Sequence, residues 1–222
     1  MDLKSRRIRK VHSMKRDLIM DAALKVITRD GYQGAKLEDI AREAGFSKAS
    51  LYHYFPDREA LVLKLIIREQ NRIIDTCKEI LLKNEPVTVV LKDFLNLFLE
   101  KIAEKVRFFR AFGDFSGSGL LQFADMAQKH KDLFSEVEAK KDEIQTMMID
   151  FVRDSQNQGQ IDSTLDPKTF SVYMLSMIHG ILFENWQTEG EQVDLESEAE
   201  KLFKFLSPWV TDKNSIETGG VK

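Results

Sequence analysis

The sequence is poor in residues that interrupt or staple a chain. A single cysteine, Cys77, among 222 residues excludes an internal disulfide framework and fits a reducing compartment. Four prolines and eleven glycines leave long stretches without a helix breaker. With abundant Leu, Ile, Lys and Glu, they predict an all-α chain. No run of about 18 uncharged apolar residues exists, so no membrane span is expected. Lys15, Arg16, Asp17 and Asp21 follow the basic N-terminus where a secretory leader would need an apolar segment, so no leader is expected. There is no Gly-rich phosphate loop and no His/Cys set at metal-ligand spacing. His12, His53, His130 and His179 are scattered, and His179, on an apolar helix, reads as a buried structural residue. The expectation is of a cytoplasmic protein that is not an enzyme, with no cofactor and no metal. Cys77, on an amphipathic stripe, reads as inert.

What is there is unevenly distributed. Residues 1–60 hold 13 Lys+Arg against 9 Asp+Glu, whereas residues 61–222 hold 20 against 27. Within residues 1–16 the count is 7 to 1. A basic end on an acidic body points to two jobs on one chain, and the basic end suits phosphates.

Apolar spacing predicts the elements. Residues 1–12 show no apolar period and read as a basic disordered arm. Ser13 caps a first helix carrying Ile19, Ala22, Ala23, Val26 and Ile27, which stops at Asp30-Gly31. Leu37, Ile40, Ala41 and Ala44 mark a short second helix that Gly45 ends. Ser47 caps a third, Lys48 to Tyr54, which Pro56 closes. Asp57 caps a long fourth helix to about Lys83. Helices are then expected at Val87–Glu104, near Val106–Phe112, over Ala124–Gln158, Pro167–Glu189 and Leu195–Val210. The expected domains are a helix-turn-helix unit at 13–60, a helical domain at 61–210 and a flexible tail at 211–222.

Two braced helices followed by a short third one form the layout of a helix-turn-helix DNA reader. In the third helix Leu51 and Phe55 face the core together. Ser47, Lys48, Ser50, Tyr52 and His53 are left outside, and Ala49 is small enough to meet a thymine methyl. Tyr52, His53 and Lys48 can reach phosphates. Gly31-Tyr32, followed by the unbroken stretch from Leu37 through Ala44-Gly45-Phe46-Ser47-Lys48-Ala49-Ser50-Leu51-Tyr52-His53-Tyr54-Phe55 to Leu61, closely resembles the TetR family of bacterial transcriptional regulators. The resemblance covers about residues 14–65; beyond it, only the helical architecture matches. It implies a dimer on double-stranded operator DNA and a small-molecule effector in the C-terminal domain. It also implies that Tyr52 binds a phosphate and Lys48 a phosphate or base edge. Arg58 stands where the family usually has Lys and would keep a phosphate contact. Ala35-Lys36 replaces the usual hydroxyl pair, with Lys36 supplying charge. Ala49 replaces a frequent Gly.

Residues 87–190 are rich in Phe and Met, which mostly fill cores but can also enclose an apolar pocket. Phe98, Phe112, Met147, Phe151 and Met177 are the candidate lining. The last two helices are the candidate dimer surface, through Met174, Ile178, Gly180 and Ile181 on one and Leu202, Phe203 and Leu206 on the other. The resulting expectation is a homodimeric, sequence-specific repressor released by a hydrophobic ligand of fatty-acyl or aromatic type. The alternative is a DNA-binding regulator whose C-terminal domain is a protein-interaction module, or which activates transcription, without a small-molecule inducer.

Overall fold

A computed structural model describes residues 3–110, 118–187 and 194–211. Among these residues nine α-helices follow one another: α1 (Leu3–Gly34), α2 (Leu37–Glu43), α3 (Lys48–Tyr54), α4 (Arg58–Leu81), α5 (Val87–Arg110), α6 (Ser118–Lys129), α7 (Lys131–Asn157), α8 (Pro167–Gln187) and α9 (Leu195–Leu206). There is no strand among them, only a bridge between Ile161 and Val210. No described helix is long and apolar enough to cross a membrane.

The first correction concerns the N-terminus. Residues 3–12, expected to be disordered, are helical and continuous with the rest of α1. No Gly or Pro interrupts this stretch. A helix already nucleated by the buried Ile19–Ile27 segment propagates through charged residues of good helix propensity. The helical path breaks at Gly31, whose φ of 74° lies in the left-handed region that favours glycine.

The chain divides into two compact units, Met1–Gln70 with Arg107–Ala139, and Asn71–Val106 with Lys140–Lys222. The division falls at Gln70, not at residue 60, and the first unit takes in α6 and the start of α7. That unit buries Ile19, Ala23, Val26 and Ile27 of α1 with Ile40 of α2, Leu51 and the C-cap Phe55 of α3, Leu61 and Leu65 of α4, Met126 of α6 and Val137 of α7. Polar ties surround this core. Arg68 reaches the Asp17 carbonyl at 3.2 Å and the Asp21 carboxylate at 2.8 Å. Lys64 pairs with Glu136 at 2.7 Å, and Gln70 Nε2 donates to the Val137 carbonyl at 3.2 Å.

The second unit buries Ile73, Ile74 and the thiol of Cys77 on α4 with α5, α7, α8 and α9. Phe94 and Phe98 stack with ring centroids 5.1 Å apart. Residues 209–211, which follow α9, are sewn to the α7–α8 connection: Asp162 N–H donates to the Trp209 carbonyl, and Thr211 N–H to that of Gln160.

Two helix boundaries and the burial of one residue differ from expectation. Helix α5 runs unbroken to Arg110. The single helix expected over Ala124–Gln158 is two, separated at His130, whose ring is held by Asp57. His179 is exposed, not buried.

Candidate nucleic-acid interface

Helix α3 is positioned by the connections on either side of it. Gly45, at φ 73°, closes α2 in a six-to-one arrangement, with Phe46 N–H donating to the Ala41 carbonyl at 2.8 Å and Gly45 N–H to that of Arg42 at 3.1 Å. Two residues later Ser47 opens α3. Its Oγ accepts from Ser50 N–H at 3.1 Å and lies 3.1 Å from Ser50 Oγ. Lys36, at the corresponding position before α2, supplies no side-chain cap. Leu51 is fully buried and Phe55 nearly so, which fixes the inward side.

The opposite side carries the expected residues. Ser47, Lys48, Ala49, Tyr52 and His53 are exposed, Ser50 is half-buried, and Lys36 is exposed immediately before α2. The Tyr52 ring is 45% exposed, with the Lys48 ammonium 6.0 Å from its centroid. With Ser47 donating to Ser50 Oγ, the Ser50 hydroxyl proton remains available to an outside acceptor. Ten residues of separation hide the partner of Lys48, which is ion-paired with Glu38 on α2. Hydrogen bonding to Glu38 raises the ammonium above its ordinary pKa and holds the Glu38 carboxyl below its own. Glu38 therefore orients Lys48 until a phosphate competes for it.

Arg58 does not stand with this group. Its guanidinium donates to the carbonyls of Tyr32 at 2.8 Å and Ala35 at 3.2 Å, and lies 4.1 Å from the Tyr32 ring centroid. The residue expected to meet a phosphate instead ties the α1–α2 corner to the first turn of α4. Sequence spacing does not show this tertiary use.

Two further neighbours of α3 were not singled out. The His12 ring lies 4.5 Å from that of Tyr54 and 6.0 Å from that of His53, and Arg16 lies 5.5 Å from the Phe55 centroid. Their shared helical face, at i and i+4 on α1, is the signal that could have found them.

A second polar cluster lies at the start of α4. Asp57 Oδ1 caps the helix through Ala60 N–H at 2.8 Å, His130 Nε2 lies 3.0 Å from the same carboxylate, and Lys129 sits 3.0 Å from Asp57 and 3.3 Å from Glu59. Burial pushes the Asp57 carboxyl up, but the Ala60 N–H, Lys129 and His130 together bring it below its ordinary value. Ligand atoms of Asp57, Glu59 and His130 come within 4.8 Å of one another, a spacing that could hold a metal ion. The Lys129 ammonium already supplies a positive charge there.

In the second unit Phe98 is buried, and Met147, Phe151 and Met177 are half-buried against the same cluster. Phe112 lies outside the described residues. The dimer candidates separate. Met174, Ile178, Leu202 and Leu206 are buried in their own unit, so the face chosen from sequence is the core face. Phe203 is half-buried beneath Lys92, whose ammonium is 4.5 Å from the ring centroid, and Ile181 is half-buried. Gly180 is exposed, with no atom within 4 Å of an added Cβ. Among the described side chains of these helices, Tyr173 and Phe205 are large apolar groups that stay exposed.

A Ser-capped short helix that turns its polar side outward, braced by two helices across a glycine turn, defines a helix-turn-helix DNA-binding protein. The profile of the bacterial regulatory proteins, tetR family, matches residues 19–65. The HTH-type transcriptional regulator UidR of Escherichia coli K12 is 23% identical over 184 residues, 83% of this chain and 85% of UidR. A Mesorhizobium loti MAFF303099 protein assigned to the TetR family superposes with a TM-score of 0.71 at 19% identity, over 90% of this chain and 98% of that one. The transcriptional regulator FadR from Bacillus subtilis, solved in complex with stearoyl-CoA, gives a TM-score of 0.58 at 20% identity, over 85% and 96%. Residues 19–65 thus form a tetR-type DNA-binding domain, and over most of its length the chain is similar to transcriptional regulators that carry one.

Proposed function

We propose that the chain is a homodimeric repressor in the cytoplasm that inserts α3 into the major groove of an operator and leaves it when a hydrophobic effector occupies the second unit. The observation that carries this reading is the outward side of α3. Ser50, Tyr52 and His53 offer donors to phosphates, Lys48 offers a cation, and Ala49 offers a methyl-sized contact to a base. Two such helices related by a two-fold axis would read half-sites about 34–36 Å apart. The exposed Tyr173, Gly180 and Phe205 support an isologous contact through α8 and α9, in place of the buried residues first chosen. Phe98, Met147, Phe151 and Met177 in one cluster support an acyl or aromatic effector, as does the stearoyl-CoA held by the B. subtilis FadR protein.

Fluorescence anisotropy tests the reading, using the promoter fragment upstream of the chain's own gene against a scrambled duplex at two salt concentrations. Preferential binding to the promoter, reversed by added stearoyl-CoA, is expected. Tyr52→Phe should weaken binding to both duplexes and leave the salt slope unchanged, because a neutral hydroxyl releases no counterion, whereas Lys48→Ala should make the plot of log affinity against log salt shallower by about 0.9 if the ammonium meets a phosphate. If neither Tyr52→Phe nor Lys48→Ala changes affinity, α3 is not the reader.

A further inference from the structure

The first turns of α1 are the most cationic part of the molecule, and α3 does not account for them. Between residues 4 and 10 stand Lys4, Arg6, Arg7, Arg9 and Lys10, all exposed, with no acidic residue among them. They belong to a formed helix rather than to a loose arm. That helix is anchored beside the end of α3, where His12 lies against Tyr54 and His53, and Arg16 against Phe55. Residues 9, 12 and 16 fall on one face at helical spacing. Arg9 therefore continues, one turn further out, the line on which His12 and Arg16 meet α3. Arg6 and Lys10 lie next to Arg9 on one side of that line. The other side of the same turns carries exposed Ile8, Val11, Met14 and Leu18.

We propose that Arg6, Arg9 and Lys10 form a second, sequence-independent docking surface for the DNA backbone, on phosphates bordering the groove that α3 occupies. Charge selects the partner: a polyanion is the complement of Arg6, Arg7, Arg9 and Lys10, exposed on neighbouring helical turns with no acidic residue between them. Reach is sufficient. At 1.5 Å per residue, the helix extends about 12 Å from His12 to Lys4, which matches the width of a major groove. Contacts of this kind hold register and add affinity without reading bases. The inference rests on α3 being the reader.

The test compares the full chain with the triple variant Arg6→Gln, Arg9→Gln, Lys10→Gln, and with Arg6→Lys, Arg9→Lys, which keeps the charge. Both are expected to retain helix content, since Gln and Lys are good helix formers. Binding to the promoter fragment and to the scrambled duplex is measured across salt concentrations. The Gln variant should lose affinity for both duplexes by about tenfold or more at low salt. Its salt slope should fall by about 0.9 per lost contact, hence about 2.7 per protomer, while the ratio of the two affinities stays constant. The Lys variant should keep the parent slope. An unchanged slope in the Gln variant overturns the proposal. So does an unchanged slope accompanied by a shift in sedimentation or by lost binding to anionic phosphatidylserine vesicles, which would assign the helix to a protein or lipid contact. If the unaltered chain binds neither duplex at any salt, the reading of α3 fails first, and the two failures are thereby distinguished.

Discussion

Helices α3 and α9 are both short and amphipathic, and the sequence makes the same kind of statement about each, yet only one of them turns the expected face outward. In α3 the large apolar residues Leu51 and Phe55 share one line, and everything opposite is small or polar. Only one orientation buries the apolar pair. In α9 and its neighbour α8 large apolar groups stand on more than one side. Leu202, Leu206, Met174 and Ile178 go into the unit's own core, while Tyr173 and Phe205 stay 64% and 58% exposed. Periodicity finds an amphipathic helix, but it cannot say which of two apolar sides belongs to the fold and which to a neighbour.

Substitutions sharpen that contrast. The largest effect is expected at Leu51→Ala, which removes a fully buried side chain from beneath α3 and should lower stability by about 2–5 kcal/mol in chemical denaturation. Asp57→Ala should cost about 1 kcal/mol, the value of a lost helix cap, and should also change the acid limb of the stability curve. The Asp57 carboxyl lies below its ordinary pKa when folded, so its contribution is complete above the unfolded value near 4 and disappears as pH falls through the lower folded value. The variant should therefore lose less stability than the parent on acidification below about pH 4. Phe205→Ala is expected to change monomer unfolding by no more than about 0.5 kcal/mol, while weakening self-association in sedimentation equilibrium by about tenfold or more. A Phe205→Ala variant that unfolds as easily as Leu51→Ala would erase the distinction between the two helices.

The sequence was most legible where local chemistry decides. Gly45, Ser47, Pro56 and Asp57 mark the ends of α2, α3 and α4 because each answers a need of one helix terminus. The outward set on α3 followed from the position of two buried residues. Less legible were features set by distant partners. Arg58 is engaged by the Tyr32 and Ala35 carbonyls, and Lys48 by Glu38. The break between α6 and α7 carries no glycine or proline and coincides with the contact of His130 to Asp57. The helical state of residues 3–12 leaves no mark in the sequence, because these residues carry no apolar period. Charged side chains on an already nucleated helix need no apolar period of their own.

The continuity of α1 also has an entropic consequence. A flexible basic tail that orders on a duplex gives up about 1–2 kcal/mol of backbone freedom per residue at the moment of contact. Here the ordering of residues 3–12 is already accomplished by folding, because their helix grows out of the Ile19–Ile27 segment held in the core. Cations carried on such a rod would meet a polyanion without that loss, so each would contribute more of its electrostatic attraction to affinity.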